Sequence, residues 1–314
     1  MKKKMLFIYN ANAGKGKIKT SLSDVIEELC RAGYDITIYA TQAPKEATQM
    51  VLERGEDYDV ILCSGGDGTI NEVLGGIMRL TKKPACGYLP MGTVNDFATS
   101  LKLPKEPLSA AQVVTAGNLY SCDIGSFNDR FFNYIAGFGA FTEVAYETPQ
   151  ELKNAMGRMA YFIDAVKRIK DLRGFEMTVE RDDGRVIEGN YIFGMVCNSK
   201  SIGGFKLESE TNKMTLDDGL FEVALIHAPS NPLELEQIAQ ALLNRNPDTP
   251  FIDAMHVKSI HFHSKEPVRW TLDGEDGGFH TEVDISCNER AVQIFSPKKN
   301  HKHRIGTRTV KEEK

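Results

Sequence analysis

The chain has 314 residues, of which 41% are hydrophobic and 26% charged, a composition that excludes disordered and fibrous proteins and allows two domains. Its net charge of −5 argues against a general nucleic-acid-binding protein, which would carry a basic surplus. The six cysteines are scattered without a CxxC pair or a zinc-type spacing and are interpreted as reduced, mostly buried thiols. No apolar stretch reaches the roughly 20 residues that span a bilayer, so we expect a soluble, cytoplasmic protein.

The first 100 residues alternate between short apolar runs and amphipathic segments. Four strands are predicted, at 4–9, 35–40, 58–62 and 85–89. The helix after the first strand has a candidate cap at Ser21 or Ser23 and a stop at Gly33. Another helix is predicted at 43–54. This alternation predicts a parallel sheet that is covered by helices on both faces.

A glycine-rich turn follows the third strand and opens a helix. Gly65, Gly66 and Gly68 leave no Cβ near the turn, so a bulky anion can approach the N–H groups at the positive end of the helix dipole. The same residue types are also typical of an ordinary turn. The position favours a phosphate-binding loop, because open α/β sheets bind ligands at the carboxyl ends of their strands. Neither GxxxxGK[ST] nor GxGxxG is present, so the standard nucleotide motifs do not explain the turn.

All four predicted strands end in small or polar residues. These residues are Asn10, Thr41, Gly66 and Thr93. A loop of small residues with positive charge, 10–17, follows the first of them. Because the carboxyl ends of parallel strands meet at one edge of a sheet, the four signals predict a single cleft.

Beyond about residue 120 the strand-like segments are closely spaced, which predicts a mainly antiparallel β-rich second domain. The segments are 121–127, 130–137, 175–180, 186–197, 220–227, 257–263, 268–272 and 282–286. A helical pattern at 152–166 interrupts them, and we expect a solvated surface helix there rather than a membrane-binding one. The predicted division is an α/β domain over 1–122 to which 290–300 return, a β-rich domain over 123–289, and a flexible tail over 301–314.

Two Asp-Gly sequences could form turns or supply acidic site residues, and a histidine pair could bind a metal or lie on an exposed strand face. The pairs at 218–219 and 273–274 are typical of hairpin turns, and the local pattern alone favours that interpretation. His261 and His263 would share one face of a strand and could bind a metal. No carboxylate partner is evident in the sequence, so a partly exposed strand face is favoured instead.

Five motifs occur in an order that resembles the catalytic domain of the diacylglycerol kinase family. They are NANAG at 10–14, SGGDGTINE at 64–72, PMGTVNDFA at 90–98, LDDG at 216–219 and LDGE at 272–275. The resemblance extends to about residue 297 and is nearest to the soluble bacterial members, with sphingosine and ceramide kinases more distant. It implies a parallel three-layer nucleotide-binding domain, akin to NAD kinases and phosphofructokinases, then a β-rich domain, with ATP in the cleft between them.

The resemblance also implies roles for individual residues. Glu275 would accept the proton of the attacking hydroxyl, and Asp67 and Asp273 are further candidate catalytic residues. Asp67 would contact the Mg²⁺ that accompanies the nucleotide or share the base role. A second magnesium site would be formed by Thr215, Asp218 and Leu220. The implied ATP contacts are Asn10, Ala11, Asn12, Ala13, Gly14, Thr41, Gly66, Asp67, Gly68, Thr69, Ile70, Asn71, Glu72 and Thr93. These residue types suit phosphoryl transfer, which needs neutralised phosphate oxygens and a carboxylate near the attacking hydroxyl.

Three functional hypotheses follow. The favoured one is an ATP- and Mg²⁺-dependent kinase that converts diacylglycerol to phosphatidate, docking transiently at the inner face of the membrane. The second is a kinase of another lipid alcohol, such as phosphatidylglycerol or a sphingoid base, because 198–205 departs from the glycine run of the family. The third is a non-catalytic nucleotide or lipid sensor, against which the filled acidic positions count. The resemblance also implies a homodimer, and Lys15, Lys17 and Lys19 are candidates for phosphate or anionic lipid contact.

Overall fold

A computed structural model describes residues 2–139, 174–198, 216–244 and 249–297. Its strands are β1 (Lys3–Asn10), β2 (Tyr34–Thr41), β3 (Val60–Gly65), β4 (Ala85–Pro90), β5 (Leu119–Phe127), β6 (Arg130–Phe132), β7 (Ile135–Gly139), β8 (Phe175–Arg181), β9 (Val186–Cys197), β10 (Phe221–His227), β11 (Ile252–Val257), β12 (Ser259–Leu272) and β13 (Glu275–Phe295). Its helices are α1 (Lys17–Arg31), α2 (Glu46–Arg54), α3 (Asp67–Met78), α4 (Asp96–Leu101), α5 (Pro107–Thr115) and α6 (Pro232–Leu243). None of these helices is long and apolar enough to cross a bilayer.

Strands β1 to β4 form a parallel sheet in the order β2-β1-β3-β4. Successive residues of β1 point to opposite faces. Met5 and Phe7 join a core cluster with side chains of α1 and α5, whereas Leu6 and Ile8 join another with side chains of α2 and α3. All four side chains are fully buried, so helices cover both faces of the sheet. The predicted α/β class is confirmed.

Strand β13 joins the parallel sheet to an antiparallel one. Its 21 residues pair antiparallel with β12 and with β5, and near its end Ile294 lies parallel to Cys86 of β4. The antiparallel part continues in the order β13-β12-β7-β9-β10-β11, so one sheet runs through both halves of the chain. Its core is aromatic, since the ring of Trp270 lies within 5.2 Å, between centroids, of three phenylalanine rings.

The β-rich half differs from the prediction in several places, three of which concern strands β11, β12 and β13. The segments 257–263 and 268–272 belong largely to one strand, β12, which is interrupted by a bulge between His263 and Val268. The exposed residues 265–267 in that bulge break the apolar pattern. Strand β11 was not predicted. The predicted segment 282–286 is only the middle of β13, because buried side chains alternate with exposed polar ones along most of that strand.

The predicted helix cap of α1 is wrong. The helix begins directly after Gly16, which has a φ of +76°, and no side chain caps it. Ser21 and Ser23 therefore lie inside the helix. Helix α2 begins at Glu46, later than predicted. All six cysteines are free, and five are buried. The predicted helix at 152–166 and the tail at 301–314 lie outside the described residues.

Candidate active site

The strand ends of the parallel sheet are level with one another. Asn10 at the end of β1 pairs with Thr41 at the end of β2, and Gly65 of β3 pairs with Pro90 of β4. After β1, the side-chain oxygen of Asn10 accepts the backbone N–H of Asn12 at 2.9 Å, which turns the chain back over the edge. The edge predicted from the sequence therefore exists.

The loops that leave this edge pack against one another through glycines. A Cβ on Gly14, whose φ is +56°, would lie 1.9 Å from the carbonyl oxygen of Met91. A Cβ on Gly92 would lie 2.7 Å from the Cα atom of Gly66. Three loops, after β1, β3 and β4, are thus in backbone contact, which only residues without side chains allow.

The glycine turn places the first turn of α3 at this edge. Gly66 is extended, α3 begins at Asp67, and no side chain caps the helix. Its first N–H groups lie at the positive end of the helix dipole, an arrangement that suits an anion. A Cβ on Gly65 would lie 2.4 Å from the Oγ1 atom of Thr69. The glycines therefore serve close packing within the protein, beyond the space for a ligand that the sequence suggested.

The Asp67 carboxylate lies between α3 and α4. Its Oδ1 atom accepts the backbone N–H of Phe97 at 3.4 Å. Burial raises the pKa of Asp67, and the nearby Asp96 raises it further, while backbone donors of residues 95–97 oppose this. A cation beside this carboxylate would stabilise its charged form.

Asn95 holds the loop after β4, and sequence reasoning missed it. Its Oδ1 atom accepts the N–H of Gly92 at 2.8 Å, and its Nδ2 atom donates to the carbonyl of Gly92 at 2.7 Å. The Tyr88 hydroxyl donates to the same Oδ1 atom at 3.4 Å. Asn95 is buried and has a φ of +57°. An asparagine after a Gly-Thr-Val loop was the available signal, because Asn tolerates the left-handed region and bonds nearby backbone.

Asp273 and Gly274 form the two central residues of a hairpin turn between β12 and β13. Leu272 pairs with Glu275, and the φ values of Asp273 and Gly274 are +52° and +86°. Positive φ at both positions is what a type I′ turn requires, so the turn interpretation of this Asp-Gly pair is correct. The turn also fixes the positions of Asp273 and of Glu275, the first residue of β13.

The Asp273 carboxylate is buried and accepts four hydrogen bonds. Its Oδ2 atom accepts the Asn71 side-chain amide and the backbone N–H of Asn133, both at 2.6 Å. Its Oδ1 atom accepts the backbone N–H groups of Tyr134 and Ile135, both at 3.0 Å. Burial raises the pKa of Asp273 to about 6, against the effect of the backbone donors.

Glu275 is exposed and faces the first turn of α3. Its Oε1 atom lies 3.3 Å from the position that a Cβ on Gly68 would take. Since Glu275 lies on the hairpin and Gly68 on the glycine turn, the structure brings together two motifs from opposite ends of the sequence.

Other predicted residues have different surroundings. The Ile70 side chain is fully buried in the core, so only its backbone faces the edge. The Glu72 carboxylate accepts the N–H groups of Lys45 at 2.8 Å and Ala47 at 3.2 Å, and thereby caps α2. Thr93 is exposed in the loop after β4.

The acidic segment before β10 is packed against Asp123. The Oδ2 atom of Asp123 accepts the N–H of Gly219 at 2.8 Å, and Asp218 accepts the N–H of Leu220 at 3.2 Å. Burial raises the pKa of Asp123 to about 6. Thr215 lies outside the described residues. Within the part of the chain that the structure describes, no group of three His, Cys, Asp or Glu side chains is arranged to hold a metal.

The histidine pair has carboxylate partners, contrary to the prediction. His261 contacts Asp284 through Nδ1 at 2.8 Å and Glu282 through Nε2 at 2.9 Å, and His263 contacts Glu282 as well. Burial is the largest single influence and lowers the pKa of His261, but the combined hydrogen bonds and charges of Asp284 and Glu282 outweigh it, so the net shift is upward. These partners lie across the β12–β13 pairing, where neighbouring strands bring distant residues together.

Comparison with known proteins identifies the family to which this chain is similar. A family model described as the diacylglycerol kinase catalytic domain matches residues 4–127. A diacylglycerol kinase from Staphylococcus aureus (strain bovine RF122 / ET3-1) is 35% identical over 301 residues, which cover 95% of this chain and 93% of the relative. A diacylglycerol kinase from Staphylococcus saprophyticus is 36% identical over 300 residues, covering 95% and 96%.

Solved structures agree in fold. One chain from Bacillus anthracis str. Sterne superposes with a TM-score of 0.78 at 26% identity, over 94% of this chain and 95% of that chain. A diacylglycerol kinase from the same strain gives a TM-score of 0.72 at 24% identity, over 94% and 97%. The fold and these similarities define an enzyme of the kinase class, with ATP as co-substrate. The chain belongs to the diacylglycerol kinase family.

Proposed function

We propose that the chain transfers the γ-phosphoryl group of ATP to the free hydroxyl of diacylglycerol, forming phosphatidate and ADP at the inner face of the membrane. The observation that carries this proposal is the Glu275 carboxylate beside Gly68 in the first turn of α3. A helix N-terminus suits phosphate oxygens, and a carboxylate next to it suits a hydroxyl that attacks phosphorus. The names of the curated relatives support diacylglycerol as the acceptor.

In the proposed reaction, Glu275 takes the hydroxyl proton. The acceptor oxygen forms a bond to the γ-phosphorus, while the bond from that phosphorus to the β–γ bridging oxygen breaks. The electron pair of the broken bond leaves with ADP. Glu275 is exposed, so an acceptor can reach it from outside the protein. Asp273 is a less suitable base, because four donors already occupy its carboxylate.

The nucleotide would lie along the carboxyl edge of the parallel sheet. The proposed contacts are the loop 10–14, Thr41, residues 66–72 and Thr93. Backbone contact between these loops supports the proposal, as does the uncapped start of α3. We assign this half to residues 1–122 and 290–300, in a three-layer arrangement akin to NAD kinases and phosphofructokinases, and the β-rich half to 123–289.

Oxygen ligands that suit Mg²⁺ are present at two places. Asp67 would hold the ion that accompanies the nucleotide, and its raised pKa fits a carboxylate that lacks a cation partner among the described residues. Asp218, with the carbonyls of Thr215 and Leu220, would hold a second ion. Bound Mg²⁺ neutralises charge on phosphate oxygens during transfer.

The proposal is tested with purified protein, labelled ATP, Mg²⁺ and dispersed diacylglycerol. Wild type should form labelled phosphatidate. Glu275→Gln should lower kcat by about 10²- to 10⁴-fold, since it removes the proton acceptor, while ATP still binds. Asp276→Asn is the matched control, because Asp276 is the next carboxylate along the strand and pairs with Arg269 at 3.1 Å. It should retain wild-type activity.

A panel of other lipid alcohols completes the test. Turnover of phosphatidylglycerol or a sphingoid base in place of diacylglycerol would overturn the proposed acceptor and keep the kinase. Wild-type protein that binds ATP but phosphorylates no acceptor would overturn the whole proposal.

A further inference from the structure

The hairpin that carries Glu275 is fastened from two sides through Asp273. Three of the four donors to its carboxylate are consecutive backbone N–H groups of residues 133–135, which link β6 to the first residue of β7. The Tyr134 hydroxyl also donates to the Asp273 carbonyl at 3.1 Å, and the Asp273 N–H donates to Ile135 at 2.8 Å. These contacts fix the hairpin to the antiparallel part of the sheet.

The fourth donor is Asn71 of α3, the helix whose first turn is proposed to bind the nucleotide. Asn71 lies on α3 four residues after Asp67, so both side chains project from the same face of the helix. Its Nδ2 atom donates to the Oδ2 atom of Asp273 at 2.6 Å, although the two residues are 202 positions apart. The hydrogen bond is partly buried, which protects it from competition with water.

We propose that the Asn71–Asp273 hydrogen bond holds the proposed base in register with the nucleotide-binding turn, and that both are positioning residues. This inference rests on the proposed function of Glu275. The tie from Asn71 fixes the distance between α3 and the hairpin, and therefore the place of the Glu275 carboxylate over Gly68. The Asn71 side chain then acts through Asp273, which leaves only the backbone of residue 71 for the ATP contact that the family resemblance implies.

The two roles of Asn71 predict different kinetics. Loss of a direct ATP contact raises the Kd and KM for ATP. Loss of a positioning contact lowers kcat and leaves ATP binding unchanged, because the first turn of α3 remains in place. For Asn71→Ala we expect kcat to fall on the order of 10- to 100-fold, with the Kd for ATP within twofold of wild type.

A double-mutant cycle tests whether the two residues act through each other. Asp273→Asn replaces one acceptor oxygen with a donor that opposes the existing N–H groups. In an Asn71→Ala background it should cost at least several-fold less in kcat than in wild type, since the shared contact is already lost. Independent effects that multiply would contradict the proposal. If Asp273→Asn does not fold, the Asn71→Ala result still decides.

The matched control is Asn128→Ala. Asn128 also ties a loop to β13, accepting the N–H of Asp284 at 2.8 Å and donating to Glu282 at 3.3 Å, but it lies far along the strand from Glu275. It should lower stability without changing kcat. An equal loss of kcat in both variants would mean that general destabilisation, and not positioning, explains Asn71→Ala.

Hydrogen exchange separates this inference from the proposed activity. In wild type, a non-hydrolysable ATP analogue should slow exchange of the hairpin amides at 272–276, and in Asn71→Ala it should not. If wild type phosphorylates no lipid but shows this difference, the proposed function fails and the coupling stands. Equal protection in both proteins, or a raised Kd for ATP in Asn71→Ala, would overturn the coupling.

Discussion

The carboxylate of Glu275 occupies the space next to the hydrogen atoms of Gly68. Its Oε1 atom lies 3.3 Å from the place of a Cβ at that position, tighter than most contacts of a real Cβ. Gly68 lies in the first turn of α3, where its φ is not positive and a side chain causes no backbone strain. A single methyl group can therefore test the position of the carboxylate without disturbing the helix.

For Gly68→Ala we expect stability and activity to change in opposite directions. Alanine in a helix should raise the free energy of unfolding by about 0.5–1 kcal/mol. The added methyl group should displace the Glu275 carboxylate and lower kcat roughly tenfold. Urea unfolding and a phosphatidate assay measure the two effects.

Gly75→Ala is the matched control for that prediction. Gly75 lies in the same helix, and the nearest atom to its Cβ would be a guanidinium nitrogen of Arg79 at 3.5 Å, an ordinary contact. It should gain similar stability and keep wild-type kcat. A loss of activity in both variants would show that stiffening of α3, and not contact with Glu275, is responsible.

Gly14→Ala should weaken ATP binding. Its Cβ would lie 1.9 Å from the Met91 carbonyl oxygen, so the loops after β1 and β4 must separate. We expect the Kd for ATP to rise at least about tenfold, which is about 1.4 kcal/mol. Gly16→Ala shares the positive φ but has no neighbour closer than 3.6 Å, and should cost stability only. Equal Kd values for the two variants in calorimetry would contradict the loop contact.

Asn95→Ala should destabilise the fold by about 2–3 kcal/mol, because both backbone groups of Gly92 lose their partners in a largely buried site. Asn128→Ala has a similar positive φ but exposed hydrogen bonds, and should cost about 1 kcal/mol or less. Urea unfolding measures both. Equal losses would mean that backbone strain, rather than the Gly92 contacts, determines the effect.

The contributions of Asp123 and Asp273 to stability should fall as the pH rises from about 4 to 6. Burial raises the pKa of Asp123 and of Asp273 to about 6, above the unfolded value near 3.9. The folded state then binds the proton more tightly, so the contribution is complete below the unfolded pKa and is lost as pH rises through the folded one. Each group contributes a slope of up to about 1.4 kcal/mol per pH unit.

Asp123→Asn isolates one of these groups. Urea unfolding across pH 4–7, with chelator present to remove divalent cations, should give a flatter profile in the variant than in wild type. The difference between the two profiles reports Asp123 alone, since carboxylates with lowered pKa, such as Asp253, titrate in both. Parallel profiles would contradict the raised pKa.

Local patterns were sufficient to predict the parallel sheet and the edge of the site. The continuous apolar run of β1, which is buried on both faces, and the rule that parallel strands share a carboxyl edge need no knowledge of distant contacts. The Asp273–Gly274 turn was likewise predictable from its two residues. The local pattern supported the turn and the family resemblance implied an active-site acid, and the structure shows that the turn is what places Asp273 and Glu275.

Contacts between distant residues could not be predicted in this way. The donors to Asp273 come from residues about 140 and 200 positions earlier. His261 and Asp284 meet only because β12 and β13 pair at that register. The Gly16 start of α1 was also missed, because a left-handed glycine replaces the side-chain cap that sequence rules expect.

Strand β13 has a consequence for the order in which the chain acquires structure. Ile294 pairs with Cys86, and the last residues of β13 also pair with the start of β5, so the neighbour of β4 in the sheet is the last described strand. Such long sequence separations slow folding, because the intervening chain must be closed into a loop first. During synthesis, β4 therefore remains an open sheet edge until nearly the whole described chain has been made. The parallel part of the sheet is encoded first but is completed last.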